Sequence, residues 1–187
     1  FLSLLNPYAL LIGVLSLVMF VMHGAAFLAA KTEGTLQQRM ARWTAGAWMA
    51  FVLLYVTATL ASVFVSPFLF EGLLSSPFFW LFFLVLLGAV VYIPVASRAG
   101  KFLRAFLASC VTIAAMIGLT AISLFPRMLP SSLDLANSLT IYNASSTPRT
   151  LTVMLIIALI GMPLVIVYTA YIYRVFAGKV VIAEDSY

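Results

Sequence analysis

Five stretches free of Asp, Glu, Lys and Arg dominate the chain: Pro7–Ala30, Trp43–Val65, Phe78–Ala96, Ala105–Phe125 and Thr150–Tyr173. The shortest holds 19 residues. At about 1.5 Å of rise per residue, even that one approaches the roughly 30 Å hydrocarbon core of a bilayer. In hydrocarbon each backbone N–H and C=O needs a partner within the chain, and uninterrupted runs of this length find it as helices. The pattern predicts an all-α polytopic membrane protein with five transmembrane helices, read as a single transmembrane domain over residues 1–187.

Polar residues punctuate these runs where helices start. Asn6-Pro7, Ser76-Pro77 and Thr147-Pro148 each put a side-chain oxygen at an N-cap and proline at the first helical position, where its missing donor costs nothing. Inside the spans, small residues recur four apart at Ala25/Ala29, Ala58/Ser62 and Ala114/Gly118, spacing that lets helix backbones approach closely. Pro94 and Pro163 each remove a helical hydrogen bond and are expected to kink their helices.

Composition agrees with this reading: 65% of residues are hydrophobic and 8% charged, against about 25% charged in an average soluble domain. The net charge of +5 does not indicate nucleic acid, because the basic residues sit at helix ends. They alternate between connections. Lys31, Arg39 and Arg42 mark the first, and Arg98, Lys101 and Arg104 the third. The second, Ser66–Pro77, has none, and the fourth carries only Arg127 and Arg149 at its edges. Arg174 and Lys179 follow the last span. The positive-inside rule then predicts the N-terminus, second and fourth connections outside and the C-terminus in the cytoplasm. The chain begins at Phe1 rather than Met, and it is expected to be a piece of a longer protein.

Candidate chemistry is sparse. His23 is the single histidine and lies inside the first span. Imidazole can ligate haem iron or relay protons, but no second histidine exists for bis-histidine ligation. A hydrogen bond to a neighbouring helix is the expectation. Cys110 is the single cysteine, inside the fourth span, and reads as a small packing residue. Glu71 falls in a connection, so the functional reading reserved for carboxylates within the membrane does not apply. That scarcity of intramembrane charge also sets a secondary transporter or channel component behind as the alternative function. The 24-residue segment 126–149 is longer than usual, and long connections are often functional. Within it Arg127 and Asp134 are candidates for an ion pair organising the turn, or for simple solvation. Asn143-Ala144-Ser145 matches a glycosylation triplet, a pattern frequent by chance.

This outer-loop sequence, with its flanks, resembles the C-terminal half of subunit II of cytochrome bd-type quinol oxidases. The likeness covers Asn6-Pro7-Tyr8-Ala9-Leu10-Leu11, His23-Gly24-Ala25 and Lys31-Thr32-Glu33-Gly34. It continues through Phe125-Pro126, Pro130-Ser131-Ser132, Ser138-Leu139-Thr140, Tyr168-Thr169-Ala170 and the segment Tyr173–Lys179. The resemblance implies a terminal oxidase of a bacterial or archaeal plasma membrane that oxidises quinol and reduces dioxygen to water. It implies four of the five helices in a bundle and one peripheral helix. It implies haems b and d in a partner subunit I, no cofactor bound by this segment, and room for a small accessory subunit. His23, Arg127 and Asp134 become structural or assembly candidates, with no catalytic residue expected. The acidic intramembrane residues that the family associates with proton delivery belong to the half that is not represented in this sequence.

Overall fold

The computed structural model describes residues 6–131 and 133–180. Among the described residues, five helices are long and apolar enough to cross a membrane: α1 (Pro7–Lys31), α2 (Gly34–Val65), α3 (Pro77–Arg98), α4 (Phe102–Leu124) and α5 (Pro148–Val175). The chain divides into two compact units. Helices α1 to α3 and nearly all of α4 form the first, together with Lys179 and Val180, and Leu124–Gly178 forms the second. Phe1 and Ser132 lie outside the described residues.

Helix ends follow local chemistry. Asn6 Oδ1 accepts from the Tyr8 N–H at 2.8 Å, and Thr147 Oγ1 accepts from the Thr150 N–H. Ser76 departs from expectation, because its side chain makes no capping bond and Pro77 alone marks that start. The first connection also departs. The expected polar link from Lys31 to Arg42 is mostly helix, and only Thr32 and Glu33 separate α1 from α2. Residues 34–42 contain no proline and several good helix formers, so the helix continues beyond the point where the apolar run stops. At 32 residues, α2 is about 48 Å long and must project beyond a 30 Å hydrocarbon slab. Gln37 closes this tight hairpin by donating from Nε2 to the carbonyls of Ala29 and Thr32, at 2.9 and 2.8 Å. Lys179 pairs with Glu33 at 3.3 Å, and the Val180 N–H donates to the Lys31 carbonyl. Helix α3 ends where the Lys101 N–H reaches the Ala96 carbonyl and the Gly100 N–H the Ser97 carbonyl, with Gly100 at φ +70°. That left-handed residue is what glycine supplies at a helix C-terminus.

Side chains from α1 to α4 share one core, built on Met19 and Met22, Phe51, Ile93 and Ala108. Leu86, Ala115 and Leu119 form a second cluster between α3 and α4. The close-packed small residues include Ala25 and Ala29 on α1, and Ala105, Ala108, Ser109, Thr112 and Ala115 on α4. Ala114 is exposed, so the Ala114/Gly118 pair does not form a close-approach face. The α4 stripe instead runs through 105, 108, 112, 115 and 119, the spacing of one helix face. Large apolar side chains point outward along every span, Leu53 70% and Phe64 85% exposed among them. A water-soluble fold would not leave apolar area on this scale uncovered.

Polar groups within the spans are satisfied locally. The hydroxyls of Ser16, Thr44, Thr57, Ser62, Thr112 and Thr120 donate to carbonyls four residues earlier in their own helices. Links between helices are longer in range, and one of them mends a break in α3. Pro94 has no N–H to offer the Val90 carbonyl, and the Trp48 indole of α2 donates to that carbonyl at 2.8 Å. The helix bond lost to proline is replaced by a bond between helices.

The second unit holds α5 and the segment before it. No residue of α5 is buried. Strand β1 (Arg127–Leu129) pairs antiparallel with β2 (Leu139–Thr140), placing Arg127 opposite Thr140 and Leu129 opposite Leu139.

Candidate functional site

Two places gather the polar side chains that the sequence singles out. The first is the contact between α1 and α4. His23 Nδ1 lies 2.8 Å from Ser109 Oγ. Ser109 is buried, and its hydroxyl donates to the Phe106 carbonyl at 2.6 Å. A hydroxyl carries one proton. With that proton on Phe106, the remaining bond runs from His23 Nδ1–H to the Ser109 oxygen, which fixes the tautomer of a neutral imidazole. The ring also lies tilted against Phe106, centroids 5.0 Å apart at 33°, and Phe106 in turn meets Phe27 at 5.3 Å. His23 is therefore a polar fastener between two helices, set in an aromatic contact. Cys110, the next residue after Ser109, is a free thiol of intermediate exposure.

The donor set bears on the haems that the family resemblance brings with it. Bis-histidine ligation requires two imidazoles, and the sequence has one. Among the described residues, no group of three or more His, Cys, Asp or Glu side chains gathers to hold a metal ion.

The second place is the connection between α4 and α5, from Phe125 to Thr147. A two-stranded ribbon this short has little intrinsic stability, and side chains supply the rest. Ser138 is buried, and its Oγ accepts from the Ser131 N–H at 3.1 Å. Ser131 Oγ accepts from the N–H groups of Leu133 and Asp134 at 3.3 and 3.4 Å. Asp134 Oδ1 accepts from the Ala136 N–H at 2.9 Å, capping a single 3-10 turn over Leu135–Asn137. Asn143 ties the far side: Oδ1 accepts from the Thr140 N–H at 2.7 Å, and Nδ2 donates to the Ser138 carbonyl at 3.0 Å. Thr140 Oγ1 accepts from the N–H groups of Tyr142 and Asn143. These hydroxyl and amide groups stand in for missing sheet, as Asx and ST turns do.

The sequence-derived candidates fall into place unequally. Arg127 begins β1, and Asp134 caps the turn that follows. Asn143 appears in the sequence only as part of a chance-prone triplet, and its amide turns out to hold the ribbon's closing turn. The signal for it was available in Thr140 three residues before Asn143, a spacing suited to reciprocal side-chain and backbone bonds. The motif residues Ser131, Ser138 and Thr140 are the ones whose hydroxyls knit the loop.

A helical protein of five membrane-length spans, with one long connection folded by its own side chains, is a polytopic membrane subunit with an ordered surface loop. The profile of the family described as "Cytochrome bd terminal oxidase subunit II" matches residues 1–176, and the chain belongs to that family. It is similar to the "Probable cytochrome oxidase subunit 2" of Haemophilus influenzae, 32% identical over 204 aligned positions that cover 96% of this chain and 54% of that protein. The "Cytochrome bd-I ubiquinol oxidase subunit 2" of Escherichia coli K12 is 30% identical, with 96% of this chain and 54% of that protein covered. The "Cytochrome bd ubiquinol oxidase subunit 2" of Bacillus subtilis is 34% identical over 94% of this chain and 51% of its own length. The chain thus spans about half the length of the curated relatives it matches. Family and spans together make it a multi-pass protein of the bacterial inner membrane.

Proposed function

We propose that this chain is the C-terminal half of subunit II of a cytochrome bd-type terminal oxidase, a complex that oxidises quinol and reduces dioxygen to water. Its part is to pack against a haem-bearing subunit I, which carries haems b and d, and to shield that subunit from lipid. A small accessory subunit can join the same assembly. The observation that carries this reading is the family match over residues 1–176, together with a loop whose motif residues are also its structural ties. The N-terminus and the α4–α5 connection face outward and the C-terminus faces the cytoplasm, in keeping with Arg98, Lys101 and Arg104 at the α3–α4 turn. Helices α1 to α4 pack as a bundle. His23, Arg127 and Asp134 serve packing and assembly, and electron transfer is left to the partner.

Affinity purification through a tag on the full-length subunit, from host membranes in mild detergent, tests this. The expected result is a coloured complex with a larger co-purifying subunit, haem absorbance and quinol-dependent oxygen consumption. A colourless preparation without that partner would sink the proposal.

A further inference from the structure

The turn that joins α3 to α4 carries more positive charge than its surroundings balance. Lys101 and Arg104 line a recess of about 390 Å³ together with Gln37, Phe102 and Lys179. Lys179 is shared with Glu33, and among the described residues neither Lys101 nor Arg104 has a carboxylate partner. Arg104 also lines a second recess, a groove of about 470 Å³ between α3 and α4. Its walls include Val85, Gly88, Ala89, Leu107 and Val111, with Tyr92 beside Arg104.

The order of these groups along the two antiparallel helices has a chemical meaning. Arg104 and Tyr92 are the groove residues nearest the turn, and every lining residue farther from it is apolar. From Arg104 to Val111 the groove runs about 10 Å along α4. A hypothetical Cβ on Gly88 meets nothing within 4 Å, so the floor is open. A cationic recess that passes through one arginine into an apolar trough parallel to the helices matches a molecule with an anionic head and a hydrocarbon tail. Basic pockets between membrane helices take phospholipid headgroups in this way.

We propose that this hairpin binds an anionic glycerophospholipid, its phosphate held by Lys101 and Arg104 and one acyl chain laid in the α3–α4 groove. A bound lipid neutralises the cations at the turn and fills the open floor at Gly88. The inference does not depend on the oxidase reading, because lipid occupancy is measured apart from haem and turnover.

The test is native mass spectrometry of the delipidated complex containing the full subunit. It is titrated with phosphatidylglycerol, with phosphatidylcholine of the same chains, and with inorganic phosphate as competitor. Phosphatidylglycerol is expected to bind about tenfold more tightly than phosphatidylcholine, the scale of one or two surface cations. Arg104→Gln should bring the two lipids close to parity. Gly88→Leu, which leaves the charge intact and fills the groove, should weaken both lipids. Phosphate should displace neither. Equal binding of the two lipids to the unmodified complex overturns the proposal, as does a preference that survives Arg104→Gln. Indifference to Gly88→Leu excludes the groove, and displacement by phosphate alone makes this a free-anion site. Failure to take up any lipid likewise overturns the proposal.

Discussion

The replacement of a proline-broken helix bond by an indole can be tested through its energy. Trp48→Phe removes the indole N–H that reaches the Val90 carbonyl, where residue 94 is proline and cannot supply the usual donor. An orphaned buried acceptor costs about 1–3 kcal/mol. Hydrogen bonds between membrane helices, measured by double-mutant cycles, fall at the low end, from about 0.6 to about 1.7 kcal/mol. The substitution also trims apolar area, so the single variant overstates the bond. Pro94→Ala separates the two effects: it restores an N–H that can donate to Val90 within α3. In that background Trp48→Phe loses packing but no longer strands a carbonyl, and its cost should fall by about 1 kcal/mol. The assay is reversible unfolding of the purified complex in mixed micelles of increasing sodium dodecyl sulfate, with all four members of the cycle measured together. A coupling near 1 kcal/mol is about a fivefold change in the unfolding constant. If Trp48→Phe costs the same in both backgrounds, the bond carries no net stability and the reasoning is refuted.

Other contacts give shorter tests. A Cβ on Gly118 would lie under 3.0 Å from three ring atoms of Phe82 on α3. Gly118→Ala should therefore cost about 1–3 kcal/mol in the same unfolding assay, and adding Phe82→Leu should recover part of the loss. A neutral Gly118→Ala would mean that the ring moves freely. Asn143→Ala removes the bonds to Thr140 and Ser138, and should cost the loop about 1 kcal/mol of local stability. Protease added to right-side-out vesicles should then cut the 126–147 segment several times faster; an unchanged rate would show that the ribbon holds without it. Arg127→Ala should lower the yield of assembled complex while leaving turnover per haem intact. Normal yield with lost turnover would give Arg127 a direct part in the reaction.

The sequence exposed what hydrocarbon demands and little of what neighbouring helices demand of one another. Uncharged length was enough for five helices, and Asn-Pro and Thr-Pro were enough for two of the three capped starts. The early start of α2 escaped because charge marks where lipid ends, whereas propensity decides where a helix ends, and Arg39 and Arg42 are good helix formers. The Trp48–Val90 bond escaped because it joins residues 42 positions apart, and no periodicity reports which indole meets which carbonyl. His23 was legible as a residue needing a partner, but Ser109 could be named only once α1 and α4 were packed. In the loop, Ser131, Ser138 and Thr140 stood out by resemblance before their bonds gave the physical reason. Asn143 was obscured by a triplet that suggested a different chemistry.

The part proposed for this segment is packing and shielding for redox centres held elsewhere, and its sole histidine is where that part is most exposed to test. The measurement is the dithionite-reduced minus oxidised visible spectrum of the complex carrying His23→Gln, with haem counted per complex. Glutamine retains an amide able to reach Ser109, so assembly should survive, and every haem band should keep its position and amplitude. Loss of one haem signal from an otherwise assembled complex would make His23 an iron ligand and contradict the account.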